Sequence, residues 1–181
     1  MILNKEEIKQ ALDTSELIIN PPPRDSQFQP ASLDICLGNK YINPHYGSID
    51  VKQKPIELPL NKMDNGEITL WPGNFLLFET LEEITVPKTM CVECQGRSSI
   101  GRIGLTIHVT AGFIDPGYHG KLTLEVKNLS QNIITLHSGM RIAQLIFHRI
   151  NPATEYAGKY QGITQVQTSK IYEDEEMIQY E

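Results

Sequence analysis

Three short stretches gather the side chains able to do chemistry. Gly96-Arg97-Ser98-Ser99-Ile100-Gly101-Arg102 sets two guanidinium forks and two hydroxyls among permissive backbone. Those are the donors that phosphate oxygens take, although composition alone reads equally well as a polar surface turn. Thr110-Ala111-Gly112-Phe113-Ile114-Asp115-Pro116-Gly117-Tyr118-His119-Gly120 then places an acid and an aromatic in a glycine-rich loop, where a ligand can approach the backbone closely. The loop enters Lys121-Leu122-Thr123-Leu124-Glu125-Val126-Lys127-Asn128, whose alternation puts Leu122, Leu124 and Val126 on one face and Thr123, Glu125 and Lys127 on the other. Glu125 thus projects from a rigid strand beside the loop. On pattern alone the ordinary reading is a solvated carboxylate paired with Lys121 or Lys127.

Cys91 and Cys94 form a C-x-x-C spacing that zinc sites also use. Zinc-dependent nucleobase deaminases pair P-C-x-x-C with H-x-E, whereas Met90 precedes this pair and no histidine has Glu two positions on. On a strand the two sulfurs point to opposite faces, so strand core is the expected role.

The elements that must position these groups are mostly strands. Apolar runs such as Ile68-Thr69-Leu70, Phe75-Leu76-Leu77-Phe78 and Ile142-Ala143-Gln144-Leu145-Ile146-Phe147 are closed by Gly, Pro, Asn and Asp, which predicts an all-β sandwich or barrel. One short helix is expected near Ile2 to Leu12, with Asn4 as its N-cap ahead of Glu6 and Glu7. From Asn151 onward the chain turns polar and ends acidic, which predicts a tail with few apolar groups draped over the body.

At 181 residues a single domain is the default. A net charge of -6 and the lack of a Lys/Arg-rich run argue against nucleic acid as a partner. No stretch approaches the ~20 apolar residues needed to span a bilayer, the first residues lack a signal-peptide pattern, and three cysteines suit a reducing compartment. The expectation is a cytoplasmic protein with no membrane partner.

Gln29-Pro30-Ala31-Ser32-Leu33-Asp34-Ile35-Cys36-Leu37-Gly38, Gly96 to Leu105, Thr110 to Asn128, and Gly139-Met140-Arg141-Ile142-Ala143-Gln144-Leu145-Ile146-Phe147 occur in that order. Together they resemble the dCTP deaminase and trimeric dUTPase superfamily. The resemblance implies a distorted β-barrel or jelly-roll with a short N-terminal helix, spanning residues 1–181 as one domain. Residues 151–181 would be a tail closing over the active site. It also implies a homotrimer with sites between subunits, dCTP or dUTP as substrate, Mg²⁺ carried by the triphosphate, and no zinc.

Residue by residue, Glu125 matches the general base and acid, and Ser98 and Arg102 match the groups that place the attacking water. Such a Glu is expected to be largely desolvated. Asp115 lies where the sugar 3′-hydroxyl is held and the Ala111 backbone where the pyrimidine edge is read. Arg97, Ser98 and Ser99 match the triphosphate cradle, and Ile100, Gly101 and Arg102 beside them are expected to contact the substrate. Tyr118, Thr123, Leu124 and Gln144 belong to the expected substrate site, with Tyr156, Lys159, Tyr160 and Gln161 from the tail. The tail departs from the family where Ile163 stands in place of a Gln.

Plain dUTPases carry an apolar residue where Glu125 stands, so deamination is the firmer expectation. Gly112-Phe113 resembles the bifunctional enzymes that go on from dCTP to dUMP, the small Gly112 leaving room for a water near the α-phosphate. The alternatives are a dCTP deaminase releasing dUTP, a dUTPase and a non-catalytic nucleotide sensor. His108-Val109-Thr110 matches a segment through which dTTP inhibits family members.

Overall fold

The computed structural model describes residues 1–178; the last three residues of the tail, 179–181, lie outside the described part. The first helix, α1 (Lys5–Asp13), starts at Asn4, whose side chain accepts the N–H groups of Glu6 and Glu7 while the Glu7 carboxylate accepts the N–H of Asn4. That reciprocal cap satisfies N–H groups the first turn cannot use. Ile8 and Ala11 on its inner face are buried.

The rest is mostly strand: β1 (Ile18–Asn20), β2 (Phe28–Gln29), β3 (Ser32–Ile42), β4 (Asn61–Lys62), β5 (Glu67–Leu70), β6 (Phe75–Thr85), β7 (Met90–Gly96), β8 (Leu105–Thr106), β9 (Phe113–Ile114), β10 (His119–Asn128), β11 (Ile134–His137) and β12 (Arg141–Arg149). One sheet runs in the order β8-β10-β6-β3-β12-β7-β9, and β5 and β11 form a separate pair. The fold is all-β with minor helix, as the patterning implies.

β3 belongs to both halves of the large sheet. Its start pairs with β12 through Leu33↔Leu145, and its end pairs with β6 through Tyr41↔Phe78. Gly38 sits at the change of partner: a Cβ there would lie 2.6 Å from Glu79 Cγ and 2.8 Å from the Glu79 carbonyl oxygen, so only glycine admits the crossing. The curled sheet encloses a core of Leu33, Ile35, Phe78, Val92, Leu124, Val126, Leu145 and Phe147.

Buried polar groups brace the strand that carries Glu125. The Thr80 hydroxyl accepts the Leu122 N–H (3.0 Å) where the β10–β6 register shifts, and donates to the Glu82 carbonyl (2.7 Å). The Glu82 carboxylate accepts Gln27 Nε2 and the Cys36 N–H, both at 2.9 Å. Each of these groups would otherwise face apolar surroundings unpaired.

Cys91 and Cys94 both lie in β7 and are buried, Cys94 within the main core. Burial pushes the Cys94 thiol up to about 12 and that of Cys36 to about 11. Among the described residues no helix is long and apolar enough to cross a membrane.

The tail departs from the expected polar drape. Ile163 and Val166 are buried, and Val166, 2% exposed, closes a second small core with Ile42 and Leu77. The tail tracks β10: the Ile163 carbonyl accepts the Lys121 N–H (2.7 Å), Gly162 donates to the His119 carbonyl (2.9 Å), and Gln167 donates its N–H to Thr123 Oγ1 (3.1 Å). Two apolar anchors spaced along an otherwise polar segment are too sparse to register as a periodic pattern.

Candidate active site

A large cavity, about 590 Å³, opens against the outer face of β10. Ala111, Phe113 and Asp115 from the glycine-rich loop, then Tyr118, Thr123, Leu124 and Glu125, form its wall. Tyr156, Tyr160, Ile163, Gln167 and Thr168 of the tail, and Tyr46 and Ile49 from the loop after β3, cover it. A mostly apolar hollow with a few convergent polar groups is the usual form of a small-molecule site.

Glu125 is half-buried rather than enclosed. Its Oε2 accepts the Val109 N–H at 2.7 Å and the Thr110 N–H at 3.3 Å, so it pairs with neither neighbouring lysine. Lys121 instead donates to the buried Glu79 carboxylate at 3.1 Å. Tyr118 is buried, its hydroxyl donating to the Lys121 carbonyl (2.7 Å), and burial raises its pKa. Its ring lies 6.1 Å from that of Tyr156. Gln161 grips the loop from outside, donating to the Gly117 carbonyl (2.8 Å) and accepting the His119 N–H (2.9 Å).

The expected phosphate cradle lies elsewhere. Arg97 precedes a single helical turn, α2 (Ser98–Gly101), and a second cavity of about 460 Å³ is lined by Gly96, Arg97, Ser98, Gly101 and Gln144. Ser98, Ser99 and Arg102 are exposed. Gln144 Nε2 donates to the Gly96 carbonyl (3.2 Å), and its Oε1 accepts the Ser32 hydroxyl (3.2 Å). Arg97 is paired through Nε with the buried Asp34 at 3.1 Å. His108 lines both cavities, and its Nδ1 is buried without a partner among the described residues.

Four of the expected residues are engaged by the fold itself. The Ile100 side chain is buried in the core, and its N–H donates to the Arg97 carbonyl (3.0 Å). Leu124, also in the core, can offer the cavity little beyond backbone. Gly112 is closely packed: a Cβ would lie 2.6 Å from the Cys94 carbonyl oxygen and 3.4 Å from His108 Nε2. Lys159 does not face the large cavity; its ammonium donates to the Lys170 carbonyl (2.9 Å) and pairs with Asp174, which raises its pKa.

Asp34 and Arg141 belong to stretches already noted, yet no role was foreseen for either. The signal for Asp34 is a charge inside the apolar run Leu33-Asp34-Ile35-Cys36-Leu37, because a buried carboxylate there needs a cationic partner.

The sequence profile of the dCTP deaminase-like family matches residues 2–150. A relative from Methanosphaera stadtmanae named "dCTP deaminase, dUMP-forming" is 34% identical over 98% of this chain and 97% of its own. One of the same name from Nanoarchaeum equitans is 38% identical over 96% of this chain and 99% of its own. A relative from Haloarcula marismortui, named "dCTP deaminase", is 36% identical over 97% of each chain. Among solved structures, the 2′-deoxycytidine 5′-triphosphate deaminase of Agrobacterium tumefaciens superposes with TM-score 0.66 at 23% identity. It covers 81% of this chain, which spans about half, 47%, of that one. The native EIAV dUTPase superposes with TM-score 0.50 at 21% identity, covering 78% of this chain and 95% of that one. Both share the fold.

Proposed function

Because the chain belongs to the dCTP deaminase-like family, we propose that it converts dCTP and two waters to dUMP, ammonia and pyrophosphate, with Glu125 as the base of the deamination step. The observation that carries the reading is the placement of Glu125 in the large cavity beside Ala111, Asp115 and Tyr118. A carboxylate on a rigid strand takes a proton from a water as that water attacks C4 of the ring. It then delivers protons toward N3 and the departing amine, so ammonia leaves and a carbonyl remains. The Ala111 backbone reads the pyrimidine edge and Asp115 holds the sugar.

For the second step a water attacks the α-phosphorus in line with the leaving pyrophosphate, Asp115 accepting its proton. Mg²⁺ carried by the triphosphate would neutralise phosphate charge. Apart from the His108 imidazole, the polar side chains lining the cradle's cavity, Arg97, Ser98, Thr106 and Gln144, are guanidinium, hydroxyl and amide groups, which suit phosphate oxygens rather than a cation.

Within one chain Glu125 and Arg97 line different cavities. That separation supports a site completed between copies, with the cradle of one chain facing the nucleoside cavity of the next in a homotrimer. The exposed apolar side chains of Val109, Phe113 and Leu129 support the same reading, since a partner would cover them. Val109 and Thr110 donate directly to Glu125, so a dTTP-induced shift of residues 108–110 would reach the base without an intermediary.

Deamination alone is favoured by one observation: the Cβ side of Gly112 is occupied by the Cys94 carbonyl and His108. Incubation with dCTP and Mg²⁺, followed by separation of products, decides. dUMP with pyrophosphate and no accumulating dUTP is the expected result, dUTP alone supports the second reading, and unchanged dCTP refutes both. Equal turnover with and without dTTP removes the regulatory role of residues 108–110.

A further inference from the structure

Asp34 stands on β3 opposite Gln144 of β12, its side chain 3% exposed. A single carboxylate oxygen, Oδ2, takes Arg97 Nε at 3.1 Å and Arg141 Nη1 at 3.1 Å, with Gln29 Nε2 at 3.4 Å. Arg97 is held a second time, its Nη1 donating to the Arg141 carbonyl at 3.1 Å. Arg141 is itself fixed by a 2.6 Å bond from Nη1 to the Ser26 carbonyl.

Two guanidiniums against one carboxylate leave an uncompensated positive charge. The arginine side chains are 24% and 35% exposed, so that charge is partly withdrawn from water, and the cavity it borders is also lined by Ser98 and Gln144. Of the five N–H groups of a guanidinium, Arg97 commits one at Nε and one at Nη1 to the scaffold, which leaves the remainder for a ligand. A half-buried cation with free donors and surplus charge calls for an anion.

We propose that Asp34 is a positioning residue for anion binding: with the Arg141 carbonyl it locks Arg97 so that the unused donor edge faces a polyphosphate, while Arg141 keeps the Asp34–Arg97 pair from neutralising itself. The proposal rests on the reading that the Arg97 cavity holds the triphosphate. It makes a prediction opposite in sign to charge alone. Removing the Asp34 charge leaves the cluster more positive, which by Coulomb attraction tightens anion binding; loss of the lock weakens it.

The test measures inorganic tripolyphosphate binding by titration calorimetry, together with KM and kcat for dCTP, in Asp34→Asn, Arg97→Gln, the double variant and Arg141→Gln. Asp34→Asn should weaken tripolyphosphate about tenfold and raise KM in parallel with kcat within about threefold, the signature of uniform binding. In the Arg97→Gln background the same change should add less than about twofold, because its effect passes through Arg97. Arg141→Gln, which removes the surplus charge, should weaken binding about fivefold.

Unchanged or tighter tripolyphosphate binding in Asp34→Asn overturns the proposal, as does an effect undiminished in the Arg97→Gln background. If Asp34→Asn fails to fold, Arg141→Gln decides, and unchanged affinity overturns it. Tripolyphosphate binding that is sensitive to Asp34, in a protein that leaves dCTP intact, upholds this proposal while sinking the catalytic reading.

Discussion

Replacing Gly112 with alanine separates two reasons for a glycine at that position. An added Cβ would stand 2.6 Å from the Cys94 carbonyl oxygen, where C···O contacts are normally no closer than about 3.3 Å, so β9 must move from β7 by about 0.7 Å. The same pair is joined by a 2.6 Å bond from the Cys94 N–H to the Gly112 carbonyl, and Cys94 lies in the core, so the sheet has little slack. Overpacking of this kind costs about 1–3 kcal/mol. For a chain of this length each kcal/mol lowers Tm by about 2–4 °C, which gives a drop of about 2–12 °C in a calorimetric melt. The displaced loop carries Ala111 and Asp115, so ammonia and pyrophosphate release should fall together. An unchanged Tm with ammonia release intact and pyrophosphate release lost would refute the packing argument and restore the glycine to making room for a water.

Glu125→Gln can still accept the Val109 and Thr110 N–H groups but not a proton from water; ammonia release should fall by about 10²–10⁴ with Tm little changed, and normal turnover would remove Glu125 from the chemistry. Val166→Ala opens the small core shared with Ile42 and Leu77 and should cost about 2 kcal/mol, read as a lower urea midpoint; ending the chain before Tyr156 should cost more, and an unshifted midpoint would return the tail to a mere drape. Alkaline pH should destabilise the fold. The Cys94 and Cys36 thiols, raised to about 12 and about 11 by burial, stay protonated when folded, while the unfolded thiols lose protons above their ordinary value of 9.0. The unfolded state then binds fewer protons, so stability is intact below pH 9 and falls above it by about 1.4 kcal/mol per pH unit for each thiol until its folded value is passed. Denaturant midpoints at pH 8 and pH 10 check the sign.

Much of the architecture was legible in one dimension because its signals are local. Alternation in Leu122 to Val126 assigned the two faces of β10, Asn4 and Glu7 marked the start of α1, and the C-x-x-C was read as strand core from its spacing on a strand. Glu125 was singled out by the loop before it, not by its own strand, where it looks like any solvated carboxylate.

The sequence by itself therefore determined which segments are strands, where the helix begins and which family's motifs the chain carries. Only the tertiary structure decided what those segments face. Alternation says that a side chain points outward but not what lies there, and it was register between distant strands that set Asp34 beside Arg97 and Arg141. The same long-range packing put a carbonyl against Gly112, drew Ile163 and Val166 of a polar tail into the core, and kept Glu125 and Arg97 in separate cavities of one chain. Contacts of this kind depend on how the sheet curls, a property of the assembled strands together and of no single stretch of residues.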